Sequence, residues 1–362
     1  MRIIVDITHQ SNIHSFKHAI KNWINHGHTV IVTSRDKEVL VPLLNAAGIT
    51  HMLLGRSASS VPGLLGELIA RCVKLFRIVR REKPDVITSF GGPFSAPVGR
   101  LAGVPTVTFY DTEHAWVSNL IAYSTTHYLV LPSSYKNPPK RRTIFFAGCK
   151  ELAYLRPEYF TPDPGIRERL GLAEGDRFAI IRFVSRRVSH DFGHRGLRDE
   201  DKIHAVEAFL PYARVFISSE VPLPGDLASY QFPLPPEEMH HALALADMLY
   251  GESATMASEC AVLGTPAIYL DFTGRGYTDK QEEKYGLVHN FSLSQKDIAE
   301  SIRTGIAILT APEGKRPWKE KRDRLLGDTI DLTALITELV ERVGRGEPEE
   351  DIYRRFGPLA GS

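Results

Sequence analysis

The segment DTEHA places Asp111, Glu113 and His114 within four residues, directly after the apolar run TVTFY. Two carboxylates and an imidazole at a strand's carboxyl end can hold and exchange protons near neutral pH, the equipment of general acid–base chemistry. Asp111 or Thr112 as a helix N-cap, with Glu113 in the first turn, accounts for one carboxylate without any ligand. It accounts less well for a Glu–His pair beside an aromatic. His14, in DITHQSNIHSF, is a further candidate base. Asn12 or Ser11 would cap a helix starting near residue 13, leaving His14 in its first turn.

A second set of residues suits anionic ligands. In LYGESATMASECAVLGTPAIYLD the turn Gly251, Glu252, Ser253, Ala254, Thr255 separates a short apolar run from a helix reaching to about residue 263. Small residues there let backbone N–H groups at a helix N-terminus meet phosphate oxygens, aided by the macrodipole. Glu259, four residues after Thr255, lies on the same helical face and can accept hydrogen bonds from two ribose hydroxyls. In SFGGPFSAP, Gly91 and Gly92 permit close approach to the backbone ahead of another helix. Arg182, Arg186 and Arg187, in RFVSRRVSHDFGHRG, have the forked geometry that meets a diphosphate. His190, Asp191 and His194 would ligate a metal at that spacing only on a helix, and Phe192-Gly193 favours a loop, so no metal is expected.

The elements positioning these groups alternate. Apolar strands IIVDI, TVIVTS, HMLLG, DVITSF, TVTFYD and YLVLP are separated by helices over residues 13–26, 37–48 and 63–82 and a short one after GGP. Strands alternating with helices imply a parallel sheet covered on both faces. PEYFTPDPG, with three prolines and a glycine, reads as a hinge. The alternation then restarts with FAIIRFV, ARVFISS, SYQFP, MLYGE and AIYLD, and helices near 199–210 and 237–246. The expected organisation is two Rossmann-like doubly wound α/β domains, 1–156 and 157–340, facing each other across a cleft, with 341–362 packing back on the first. Ligands would then meet the carboxyl ends of the strands.

Composition narrows the function classes. The 362 residues are 43% hydrophobic and 24% charged with a formal net charge of +1, an ordinary globular mix with no global basic character for nucleic acid. Three scattered cysteines suit a reducing compartment. Met1 leads directly into a strand, and no apolar run reaches the ~18 residues of a membrane span. A cytoplasmic protein is expected, with one peripheral reading. Residues 62–83 interleave apolar residues with Arg71, Lys74, Arg77, Arg80 and Arg81, as a helix on an anionic bilayer would. A crossover helix must bury an apolar face in any case, and the balance favours that explanation.

KPDVITSFGG, DTEHA and GESATMASECAVLGTPAIYLD occur in the order seen in GT-B-type enzymes. With the DIT…H opening and the RFVS…SHD loop, the chain resembles an uncharacterised, largely archaeal family related to them. It is more distantly similar to the lipid-linked N-acetylglucosaminyltransferase of peptidoglycan synthesis and to non-hydrolysing UDP-N-acetylglucosamine 2-epimerases. The resemblance implies a GT-B-like fold and a glycosyltransferase that takes a nucleotide-diphosphate sugar, UDP-linked, without a metal cofactor. The acceptor is unknown, and a lipid-linked one is compatible. The helix from Ser253 would hold the diphosphate and Glu259 the ribose. Gly91 and Gly92 would border sugar or acceptor, and His14, Glu113 and His114 would supply acid–base groups, with Asp111 beside them. A 2-epimerase and a non-catalytic nucleotide-sugar-binding protein are the alternatives. Loop one carries THQSN in place of the transferase Gly-Gly pair, and the epimerase HVEAG is missing.

Overall fold

Seven parallel strands form the first sheet: β1 (Arg2–Ile7), β2 (Thr29–Asp36), β3 (His51–Arg56), β4 (Val86–Phe90), β5 (Thr106–Phe109), β6 (Tyr128–Pro132) and β7 (Ile144–Phe146), in the order β3-β2-β1-β4-β5-β6-β7. Five more, β8 (Phe178–Phe183), β9 (Arg214–Ser219), β10 (Met248–Gly251), β11 (Ala267–Leu270) and β12 (Val288–Phe291), form a second parallel sheet in the order β12-β11-β10-β8-β9. The computed structural model describes the chain apart from residues 38, 58–60, 114, 185–195, 220–221, 224 and 358–362. It divides into Met1–Tyr154 with Ile330–Ser362, and Leu155–Thr329.

Both orders are doubly wound, and each reverses direction once. In the first unit the reversal lies between β1 and β4; in the second it lies between β8 and β10. These are the places where a crevice opens at the strands' carboxyl ends.

In the first unit Leu75, Ile78 and Val79 of the crossover helix Val61–Glu82 pack with Ile4, Ile87 and Val98 in one core cluster. On the helix Gln10–Asn25, Phe16 meets Phe90 and Phe109 with ring centroids 5.3 and 6.1 Å apart. The crossover helix also sends a charge inward. Arg71 is 2% exposed, pairs with Asp6 (1% exposed), and donates to the Ser34 carbonyl at 2.8 Å. The Thr33 hydroxyl donates to the same Asp6 carboxylate at 2.7 Å. Lys74 donates to the Leu54 carbonyl at 2.9 Å. Two of the basic residues that suggested a membrane face therefore fasten the helix to its own sheet. Among the described residues no helix is long and apolar enough to cross a membrane.

The chain returns to the first unit at Ile330, whose N–H donates to the Ala147 carbonyl. The expected boundary at 341 falls inside the helix Leu332–Gly344, which Asp331 caps and which holds the indole N–H of Trp23 at the Thr337 carbonyl, 3.2 Å.

Three expectations for the strands change. The run SYQFP contributes an isolated bridge, Gln231 to Ile217, after a 3-10 helix Gly225–Tyr230. The three-residue β7 extends the first sheet, and β12 closes one edge of the second.

Candidate functional site

In the second unit β10 ends at Gly251, opposite Arg182 of β8. Gly251 has φ +146, and a Cβ there would lie 2.1 Å from the Arg182 carbonyl oxygen, so only glycine allows the two backbones this close at the reversal point. The buried Glu252 carboxylate accepts the backbone N–H groups of Val184 (3.4 Å) and Leu197 (2.9 Å), tying both to the end of β10. Ser253 is the N-cap of the helix Ala254–Leu263, its hydroxyl accepting the Met256 N–H at 3.3 Å. Ala254 and Thr255 form the half-buried first turn.

Glu259 is not a solvated helical glutamate. It is 5% exposed, and Nε2 of the buried His240 lies 2.9 Å from its Oε1. His240 sits on the helix Met239–Leu245, beside Phe160, whose ring lies 6.4 Å away. An imidazole fixes the direction in which this carboxylate presents its oxygens. Arg182 donates to the Ser218 hydroxyl on β9 at 2.8 Å, so its guanidinium braces the sheet rather than standing open in a basic loop. Arg186, Arg187, His190, Asp191 and His194 lie outside the described residues.

In the first unit His9, rather than Ser11 or Asn12, caps the helix Gln10–Asn25. Its Nδ1 accepts the Ser11 N–H at 3.3 Å, while the Asn12 side chain accepts the His9 N–H at 2.9 Å. The helix therefore starts three residues earlier than residue 13, and His14 falls in its second turn. The His14 ring is half-buried and tilted against Tyr154, centroids 5.2 Å apart. After β4, Gly91 and Gly92 take φ +98 and +72, and a Cβ on Gly92 would meet the Thr108 methyl at 2.7 Å. The two glycines thus turn the chain where bulkier residues would strain it.

At the ends of β5 and β7 an ionic cluster forms. The Lys150 ammonium lies 2.5 Å from Asp111 Oδ2 and 3.1 Å from Glu151 Oε1. Lys150 is 6% exposed and Glu151 is 0% exposed. Burial alone would raise the Asp111 carboxyl. The Lys150 charge and hydrogen bond, with smaller help from the Thr112 hydroxyl and His9, hold it below the usual carboxylate range. Asp111 is therefore a fixed anion here rather than a proton donor. Glu113 differs: Oε1 accepts the Lys136 N–H at 3.3 Å, while Oε2 is buried without a hydrogen-bond partner among the described residues. Asn119 folds this segment by donating to the carbonyls of Thr112 and Glu113 at 3.3 and 3.0 Å. His114 lies outside the described residues.

Lys150, Glu151, His9 and His240 join these clusters without having been singled out in the sequence. The usable signal for the lysine pair was TIFFAGCKEL, a short apolar run ending in glycine before adjacent opposite charges. His240 gave none, because its partner is remote in the chain.

Two doubly wound sheets with these reversal points define the class: the fold is that of GT-B glycosyltransferases and the related epimerases. The UDP-GlcNAc 2-epimerase from Neisseria meningitidis bound to UDP-GlcNAc superposes with a TM-score of 0.71 at 12% identity, over 94% of this chain and 100% of that one. The glycosyltransferase VinC in complex with dTDP gives 0.61 at 12% identity, over 96% and 100%. The chain belongs to the DUF354 family, described as a protein of unknown function, whose model matches residues 1–191. An uncharacterised protein of Methanocaldococcus jannaschii is 22% identical over 278 residues, 73% of this chain and 80% of the relative.

Proposed function

We propose that the protein is a glycosyltransferase that binds a nucleotide-diphosphate sugar at the carboxyl end of β10 and transfers the sugar to an acceptor. The observation that carries this reading is the pairing of a Ser253-capped helix N-terminus at the reversal point with a buried, histidine-oriented carboxylate, Glu259, further along that helix. N–H dipoles stabilise the departing diphosphate as its charge develops, and Glu259 accepts the ribose hydroxyls. The UDP, dTDP and UDP-GlcNAc ligands named for structures of this fold support a nucleotide-sugar ligand. Glu113, with one buried carboxylate oxygen unpaired, is the preferred base for the acceptor hydroxyl, ahead of His14. Electrostatic catalysis of this kind needs no metal. A peripheral position beside a lipid-linked acceptor is compatible with this reading.

The cluster of Asp111, Lys150 and Glu151 supports a second reading, a sugar-nucleotide 2-epimerase. A cation held between carboxylates suits stabilising charge that appears when a proton leaves the sugar ring. Thermal denaturation with UDP, UDP-N-acetylglucosamine, dTDP and GDP tests the common core. One nucleotide at 100 times its Kd is expected to add about 2.7 kcal/mol, a clear rise in Tm. A Tm unmoved by all four sinks both readings. If one binds, NMR of the sugar without acceptor separates them, because only an epimerase interconverts the C2 epimers.

A further inference from the structure

At the amino ends of the first sheet's strands, two imidazoles converge on one carboxylate oxygen. The sequence His26-Gly27-His28 ends the helix Gln10–Asn25 and leads into β2, at the amino ends of the strands. The N–H groups of His26, Gly27 and His28 close onto the carbonyls of Asn22, Ile24 and Trp23 at 2.9, 3.0 and 2.9 Å. Gly27 takes φ +79, a left-handed turn that reverses the chain between the two histidines. As a result His26 Nδ1 lies 2.6 Å, and His28 Nε2 3.3 Å, from Oε1 of Glu341 on the helix Leu332–Gly344.

The surroundings hold these groups in place. Arg345 donates to the other Glu341 oxygen, Oε2, at 3.0 Å. The His28 Nδ1 lies 3.5 Å from the Met1 amino nitrogen, which leaves Nε2 facing the glutamate. That Nε2 is buried and makes no hydrogen bond of good geometry. The two helices are already tied by Trp23 and Asn22, which donate to the Thr337 carbonyl and hydroxyl at 3.2 and 3.3 Å.

We propose that His26, His28 and Glu341 bind a divalent transition-metal ion, zinc or a similar borderline ion, that clamps the returning C-terminal helix to the first helix of the sheet. Two imidazole nitrogens with one carboxylate oxygen select such ions over calcium or magnesium, which prefer all-oxygen sets. The three donor atoms lie within 4.8 Å of one another. Tetrahedral ligands at about 2.0–2.1 Å from zinc stand about 3.3 Å apart, so closure needs side-chain rotations of about an ångström. His26, 54% exposed, leaves solvent access for a water as fourth ligand. Arg345 serves as the outer partner that orients Glu341. The site stands at the amino ends of the first sheet's strands, opposite the carboxyl ends that carry Asp111, and does not rest on the proposed function.

The test is zinc titration of the chelator-treated full-length chain by calorimetry and by thermal denaturation. The expected result is one equivalent bound with a rise in Tm, while magnesium produces none. His26→Ala, at an exposed position that should leave folding intact, and Glu341→Gln should each weaken zinc binding by more than the roughly 10–100-fold that loss of an outer partner costs. His51→Ala should bind as wild type. Cobalt should give tetrahedral d–d bands without the charge-transfer band of a thiolate ligand, as expected for a nitrogen and oxygen donor set. No zinc uptake at millimolar metal, or uptake unchanged in His26→Ala, overturns the site.

Discussion

At the ends of β5 and β7 the polar groups are ions that hold one another; at the end of β10 they are backbone amides, a capping hydroxyl, the amide-bound Glu252 carboxylate and one imidazole–carboxylate pair. The two sheets obey one topological rule and equip their strand ends differently. In the first unit, a buried ammonium fixes two carboxylates, so the site's electrostatics depend on a single side chain. In the second, glycine backbone and a helix terminus do the positioning, so main-chain geometry is what must be preserved. The first arrangement suits charge that changes during a reaction. The second meets negative charge with fixed main-chain dipoles and needs no ionised side chain to do so.

The contrast is most exposed at Lys150. Lys150→Met leaves Asp111 and the buried Glu151 without their cation, and is expected to cost about 3–5 kcal/mol at pH 7 by urea denaturation. The pH dependence should also reverse. In the wild type the depressed Asp111 carboxyl contributes stability above its unfolded pKa, lost as pH falls through the lower folded value. Without Lys150, burial raises that carboxyl, so the variant should gain stability relative to wild type on acidification from pH 7 toward the unfolded aspartate range. A variant with the wild-type pH profile would show that the ionic cluster does not organise these strand ends.

Gly251→Ala probes the backbone-built counterpart. It combines a φ of +146 with a Cβ 2.1 Å from the Arg182 carbonyl oxygen, and should cost about 2–3 kcal/mol without changing the pH profile. An alanine variant as stable as wild type would mean that β8 and β10 can separate freely. The smallest stability effect belongs to Glu259→Gln, which keeps an acceptor for His240 and should stay within about 1 kcal/mol. Nucleotide affinity should nevertheless fall about tenfold, equivalent to 1.4 kcal/mol, by titration calorimetry. Equal affinity would remove Glu259 from the binding site while leaving the helix terminus in it.

Both sheets were legible because short apolar, β-branched runs such as IIVDI and AIYLD alternate with longer segments of helical period. The GESAT turn was legible for the same reason, its strand, cap and helix being local. Strands β7 and β12 escaped because three residues, or a run as polar as VHNF, fall below any periodicity; pairing with a neighbour creates them. His9 escaped as a cap because its imidazole imitates an acceptor usually supplied by Ser, Thr, Asp or Asn. Arg71 read as one basic residue among several on a solvated face, and only the fold brings Asp6 to it. Lys150 with Asp111 and His240 with Glu259 are likewise long-range pairs, set by strand order and helix packing rather than by spacing along the chain.

The Asp6–Arg71 pair has a consequence for how this sequence can drift. Either residue exchanged alone strands a charge in the core, a loss of about 3–5 kcal/mol, whereas replacing both with apolar residues of matching volume is often tolerated. The two positions therefore form a valley between two habitable sequences, crossed only by a near-simultaneous double change or with stability held in reserve elsewhere. A lineage keeping this crossover helix inherits positions 6 and 71 as a single character.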